Sequence, residues 1–210
     1  MHVPDGFLSP RITLPAWGAA LPLWAWAARR GFGPSAADSL PVVGSLTALA
    51  FVVQGLAIPV PGGTSVHLLG VAVLAVLRGP AVAFVCESLV LALQALILGV
   101  GGFTVLGVNS IALGLIGPAA AWLAWKALGR LSPVVAAFAA GWLGMQASSL
   151  ALALVLGLQH RIDPSYMPVP GRVTLLAMMV PSLTALGVLE GLYTVATLAL
   201  LRKARLLRAE

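Results

Sequence analysis

The residues best equipped for chemistry are the first two. Met1 offers an α-amine, and His2 offers a backbone amide nitrogen and an imidazole. On one metal ion the amine and the amide close a five-membered ring, while the amide and the near imidazole nitrogen close a six-membered one, so three nitrogens share a plane. That arrangement, with an amide that must ionise, suits Ni(II) or Cu(II) and, less well, Co(II). A fourth nitrogen would complete a square. Of the two other histidines, His67 lies at the mouth of an apolar segment within Gly62-Gly63-Thr64-Ser65-Val66-His67-Leu68-Leu69-Gly70, and it is the better candidate; His160 sits in a polar stretch beside Arg161 and Asp163. A histidine at a helix end is more often a hydrogen-bonded interface residue than a ligand, so the chelate has to be weighed with the rest of the chain.

The elements that must position these groups belong in a bilayer. The chain of 210 residues is 60% hydrophobic and 9% charged, with a mean hydropathy of +1.03. That leaves too little polar surface to cover a soluble domain. Met1 to Pro10 is polar and turn-like and lacks the pattern of a secretory signal, so the expectation is that Met1 is retained. The single Cys86, inside an apolar run, can form no internal disulfide and reads as packing.

A spanning helix needs roughly 20 apolar residues. Seven segments qualify: 12 to 28, 40 to 57, 65 to 77, 80 to 98, 105 to 127, 133 to 157 and 173 to 201. Breakers separate them at Pro34, Pro59 with Pro61-Gly62-Gly63, Gly79-Pro80, Gly99 to Gly102, Pro133, and Pro164 to Gly171. The predicted fold is therefore an all-α membrane bundle of seven transmembrane helices forming one domain over 1–210, with a metal-chelating segment at 1–10.

With the N-terminus outside and the C-terminus cytoplasmic, the inner side holds Arg29, Arg30, Arg78, Lys126, Arg130, Arg202, Lys203, Arg205 and Arg208, and the outer side only Arg11, Arg161 and Arg172. This is the positive-inside pattern of the cell (inner, plasma) membrane. It puts Met1, His2 and His67 on one face. The net charge of +6 reads as anchoring on anionic lipid, with no nucleic-acid partner.

Four blocks in order along nearly the whole chain carry a family resemblance: Met1-His2-Val3-Pro4-Asp5-Gly6-Phe7-Leu8, Gly63 to Gly70 around His67, Gly101-Gly102-Phe103-Thr104-Val105-Leu106-Gly107-Val108-Asn109, and Leu189-Glu190-Gly191-Leu192-Tyr193-Thr194. The chain resembles the CbiM/NikM family, the substrate-binding membrane subunits (S components) of energy-coupling factor (ECF) transporters for cobalt and nickel. The resemblance implies a seven-helix bundle that captures Ni2+ or Co2+ outside. Its implied partners are an ECF transmembrane coupling subunit, two cytoplasmic ATPase subunits and a small accessory membrane subunit. It also implies four nitrogen ligands, from the Met1 amine, the His2 amide and imidazole, and the His67 imidazole. The Gly101 to Asn109 stretch resembles the loop over the inserted N-terminus, which makes Asn109 a candidate supporting group; Thr64 and Ser65, beside His67, are others. Val100 stands where relatives often have an acidic residue, and Leu183 where many have a histidine. Planar nitrogen donors and Pro4-Asp5-Gly6 favour nickel over cobalt.

Glu87 and Glu190 fall inside apolar spans, where a carboxylate is costly and faces the bundle interior, a polar path or a partner. Structural pairing is the better expectation for Glu190. Glu87 and Gln94, seven apart, share one helix face, either an inner polar stripe or a subunit contact. Gly187 and Gly191 form a small face suited to helix packing. The glycines Gly6, Gly62, Gly63, Gly101 and Gly102 either allow close backbone approach or are ordinary turns.

The chain has no His-Glu-x-x-His pair, no Gly-x-Ser-x-Gly elbow and no phosphate-cradling Gly-x-x-x-x-Gly-Lys-Ser/Thr run. It is expected not to be an enzyme, and to need no cofactor beyond the transported Ni2+ or Co2+. Two other readings remain at this stage: an ECF S component for a vitamin, and a membrane scaffold without a ligand.

Overall fold

A computed structural model of the chain describes residues 1–33, 39–60 and 64–204. The breaker Pro34, the run Pro61-Gly62-Gly63 and the basic residues Arg205 and Arg208 lie outside the described residues. Among those described there are seven helices and one short hairpin: α1 Pro10–Gly31, α2 Leu40–Gln54, β1 Ile58–Val60, β2 Thr64–Val66, α3 Ala72–Ile97, α4 Leu106–Leu128, α5 Pro133–Ile162, α6 Gly171–Leu183 and α7 Ala185–Lys203. By length and composition, α3, α4, α5 and α7 can each cross a membrane, while α2 and α6 are shorter apolar helices. The protein is all-helical apart from the antiparallel β1–β2 hairpin, in which Ile58 faces Val66 and Pro59 faces Ser65.

Proline sets several boundaries. Pro10 and Pro133 occupy the first turns of α1 and α5, where a missing N–H costs nothing, and the Ser132 hydroxyl caps α5 by accepting from the Val135 N–H. The break expected at Gly79-Pro80 lies inside α3, where Gly79 adopts φ 82° and ψ 168° between two helical halves. Only glycine adopts that backbone readily.

Two boundaries differ from the hydropathy reading. The segment expected from residue 65 becomes helical only at Ala72, because Thr64–Val66 pairs as a strand and the backbone that follows is held by side chains from other helices. The stretch 173–201 is divided at Thr184 (φ −104°, ψ −112°) into α6 and α7, just after Pro181 has removed one helical N–H. A hydropathy average runs through such a break without registering it.

The long helix α5 is the spine against which α4, α6 and α7 pack. Small residues let these helices approach: a Cβ on Gly141 would meet the Glu190 carbonyl, and one on Gly191 would meet the Phe138 ring. The Gly187 and Gly191 face of α7 therefore packs within the chain. At one end of the bundle Ser9 reaches Gln159 near the end of α5, and the Trp17 indole donates to the carbonyls of Phe103 and Thr104. At the other end Gly31 lies against Val82.

Candidate metal centre

The nine residues before α1 do not trail into solvent. Met1, His2 and Val3 are 0%, 2% and 0% exposed. Each is held by a different part of the chain. The Ser149 hydroxyl donates to the Met1 sulfur at 2.8 Å. The Val3 N–H donates to Asn109 Oδ1, and Asn109 Nδ2 donates back to the Val3 carbonyl, each at 3.0 Å. The Asp5 N–H donates to the Gly101 carbonyl, and the Asp5 carboxylate accepts from the N–H and hydroxyl of Thr104. Ser9 donates twice to Gln159 Oε1, at 2.8 and 2.9 Å. Backbone polar groups buried in an apolar bundle need partners, and the segment finds them in side chains instead of a helix.

Glycine makes room for this insertion. Gly101 has φ 80°, and a Cβ there would touch the His2 side chain at 3.4 Å; a Cβ on Gly102 would collide with the Asp5 carboxylate. Close approach is thus the role of these two glycines, whereas Gly6 (φ 88°) has open space around it and serves a turn.

The same region receives His67. The His2 and His67 rings lie 4.6 Å apart between centroids and 28° from parallel. His67 Nδ1 donates to the Leu68 carbonyl at 2.8 Å, which fixes the tautomer that leaves a lone pair on Nε2. That Nε2 atom is buried and has no hydrogen-bond partner. The loop after His67 is gripped on both sides: the Glu190 carboxylate accepts the Leu69 and Gly70 N–H groups at 2.8 and 2.7 Å, and Gln54 Nε2 donates to the Leu69 carbonyl at 2.8 Å. Glu190 thus has the structural pairing expected of it.

Gln54 also donates to both Glu87 oxygens at 2.9 Å, and Glu87 and Gln94 are 0% and 1% exposed, so their shared face of α3 is an inner polar stripe. Burial pushes the Met1 amine well below its ordinary pKa, against the opposite pull of the Glu87 carboxylate. Burial likewise lowers His2, followed by the charge of the Met1 amine, while hydrogen bonding with Gln54 and Gln94 acts the other way. Both shifts favour the neutral nitrogen, the form that can donate to a metal.

Among the described residues no three His, Cys, Asp or Glu side chains gather as a metal site. The structure brings together Met1, His2, His67 and Asn109. Ser65 is half-buried in β2, and the side chain of Thr64 lies outside the described residues. His160 is apart, half-buried, its Nδ1 donating to the Met167 carbonyl at 2.8 Å. Gln54 escaped the sequence reading; the signal for it was a lone amide side chain closing an otherwise apolar α2.

The family model described as the cobalt uptake substrate-specific transmembrane region, CbiM, matches residues 2–207. The chain belongs to the CbiM family. With its four long apolar helices, this family member is a multi-pass protein of the cell membrane. It is 32% identical over 97% of its length to the fused nickel transport protein NikMN of Rhodobacter capsulatus, of which it spans 62%. It is 34% identical to the cobalt transport protein CbiM of Geobacter sulfurreducens over 98% of its length, spanning 60% of that protein. The putative metal transport protein MJ1569 of Methanocaldococcus jannaschii is 31% identical, and 93% of it is covered. A crystal structure of a transition metal transporter superposes with a TM-score of 0.91 at 31% identity, covering 99% of this chain and 95% of that one. A truncated transition metal transporter gives 0.90 at 31% identity, covering 97% and 99%.

Proposed function

We propose that this CbiM family member is the substrate-binding membrane subunit of an ECF-type importer. It captures Ni2+, and Co2+ less readily, in a square of four nitrogens: the Met1 amine, the His2 amide, His2 Nδ1 and His67 Nε2. The observation that carries the reading is His67 Nε2, a buried nitrogen with its lone pair directed by the Leu68 hydrogen bond, no partner of its own, and the His2 ring 4.6 Å away. With metal–nitrogen bonds of about 2.0 Å, two imidazoles on adjacent corners of one ion bring their ring centres about 4.5 Å apart. Half of the donors belong to the main chain at Met1 and His2, which favours a metal that accepts a planar ionised amide and hence nickel. The relatives named for nickel transport and for cobalt transport support a transition-metal cargo.

The seven segments read from the sequence cross the membrane, the chain from His67 to Arg78 and the part of α3 after Gly79 as two crossings, and α6 with α7, both packed along α5, as one. The N-terminus faces outside and the C-terminus the cytoplasm, since Arg29, Arg30, Lys126, Arg202 and Lys203 lie in the last turns of α1, α4 and α7. A separate coupling subunit and two ATPase subunits, with a small accessory membrane subunit, supply energy. Asn109 supports the site by fixing the backbone beside His2.

The test is calorimetry of the purified, C-terminally tagged chain with nickel, cobalt, copper and zinc, beside a copy carrying one extra N-terminal residue. Nickel binding that disappears in the extended copy supports the reading. Equal binding by both copies overturns it, because the added peptide bond removes the amine ligand.

A further inference from the structure

We propose that Glu87 is the counter-charge of this centre: its carboxylate ligates nothing, but offsets the positive charge that a divalent cation brings to Met1, His2 and His67, and so sets how tightly the cation is held. The inference rests on the ligand reading above. A divalent ion bound to one ionised peptide nitrogen and three neutral nitrogens leaves one positive charge in a closed interior, where an uncompensated charge is expensive.

Among the described residues two glutamates are fully buried, Glu87 and Glu190. They are occupied differently. Each oxygen of Glu190 accepts a backbone N–H, from Leu69 or Gly70, and the group acts as a clamp. Glu87 has both oxygens on the single Gln54 amide nitrogen, and no Lys or Arg among the described residues pairs with it. Gln54 ties this group to the site physically, since the same nitrogen donates to the carbonyl of Leu69, two residues beyond His67. Carboxylates within apolar spans are rare and almost always pair or mark an ion pathway, and Glu87 has no side-chain cation to pair with until the cargo arrives.

The experiment compares the full, C-terminally tagged wild-type chain with Glu87→Gln, Glu87→Asp and His67→Ala. Each is titrated with nickel chloride and melted in detergent with and without nickel. Glutamine keeps the size of Glu87 and an acceptor oxygen for Gln54. The expected result is that Glu87→Gln leaves the metal-free melting temperature unchanged or raised, yet binds nickel at least about tenfold more weakly, whereas Glu87→Asp recovers most of the affinity because it restores the charge. Wild-type nickel affinity in Glu87→Gln overturns the proposal, and so does an Asp variant that binds no better than the Gln variant. If His67→Ala loses nickel while Glu87→Gln keeps it, the counter-charge alone fails. If His67→Ala binds as tightly as wild type, the ligand reading itself fails.

Discussion

Asn109 and Val3, 106 positions apart in the chain, exchange two hydrogen bonds of 3.0 Å: the Val3 N–H to the side-chain carbonyl of Asn109, and the Asn109 amide to the Val3 carbonyl. The pair holds the peptide immediately after His2, where half a turn of freedom would swing the imidazole away from His67. Because both groups on Val3 are buried, Asn109→Ala leaves a donor and an acceptor without partners, at a cost of about 1–3 kcal/mol for each. Nickel affinity measured by calorimetry is expected to fall at least about tenfold, with the helical content by circular dichroism unchanged. Wild-type affinity in this variant would show that the clamp is dispensable.

Glu190 grips the loop that follows His67. Its carboxylate accepts two adjacent N–H groups, a task that glutamine cannot repeat, because one of its two terminal atoms is itself a donor. Glu190→Gln is expected to lower the melting temperature of the metal-free chain, corresponding to about 1–3 kcal/mol, and to weaken nickel binding together with it. Glu87→Gln also weakens nickel binding but leaves the metal-free melting temperature unchanged or raised, so a melt of the two variants side by side separates a clamp from a counter-charge.

Gly102→Ala tests the insertion of the N-terminus. The added Cβ would occupy the place of the Asp5 carboxylate, which holds the Thr104 N–H and hydroxyl. Expelling Asp5 pulls on His2 three residues away. Nickel binding is expected to be lost or reduced about a hundredfold, a shift of roughly 2.7 kcal/mol, while Gly6→Ala, at a turn with open space, disturbs it much less. Limited proteolysis near the N-terminus reports the cause: the Gly102→Ala chain is cut, the wild type is protected.

The dependence on pH has a definite sign. Metal binding requires a neutral amine and expels the amide proton. Burial pushes the Met1 amine well below its ordinary value, so its proton competes with the metal only at lower pH than in an exposed N-terminus, whereas the amide proton is released at every pH. The logarithm of nickel affinity should therefore rise with pH with a slope of about one near neutrality. It should steepen in acid, once the pH falls through the lowered values of the amine and then competes for His2. Isothermal titration in buffers of different ionisation enthalpy counts the protons directly; no proton release would sink the ionised-amide site.

Much of this was legible in the residues. The ring sizes available to Met1 and His2, the positions of Arg29, Arg30 and Lys126, and the break at Gly79-Pro80 are local properties, and local chemistry reads out from a short window. The boundaries at Ala72 and Thr184 were not legible in the same way. The backbone from His67 to Val71 looks apolar enough for a helix, but its N–H groups at Leu69 and Gly70 are taken by Glu190, 121 and 120 positions away. No window of hydropathy contains that partner.

The sequence by itself determined the solvent, the helical class and the nitrogen groups on offer, because apolar composition, proline punctuation and the atoms of Met1, His2 and His67 do not depend on how the chain is folded. Only the tertiary structure decided that the first residue is buried at 0% exposure, that the rings of His2 and His67 face one another at 4.6 Å, and that Gln54 links the His67 loop to Glu87. The reason is that these are contacts between distant segments. They exist once Asn109, Gly101 and Gln159 hold the N-terminus against the bundle, and before folding nothing in the order of the residues makes any one of those pairings closer than another.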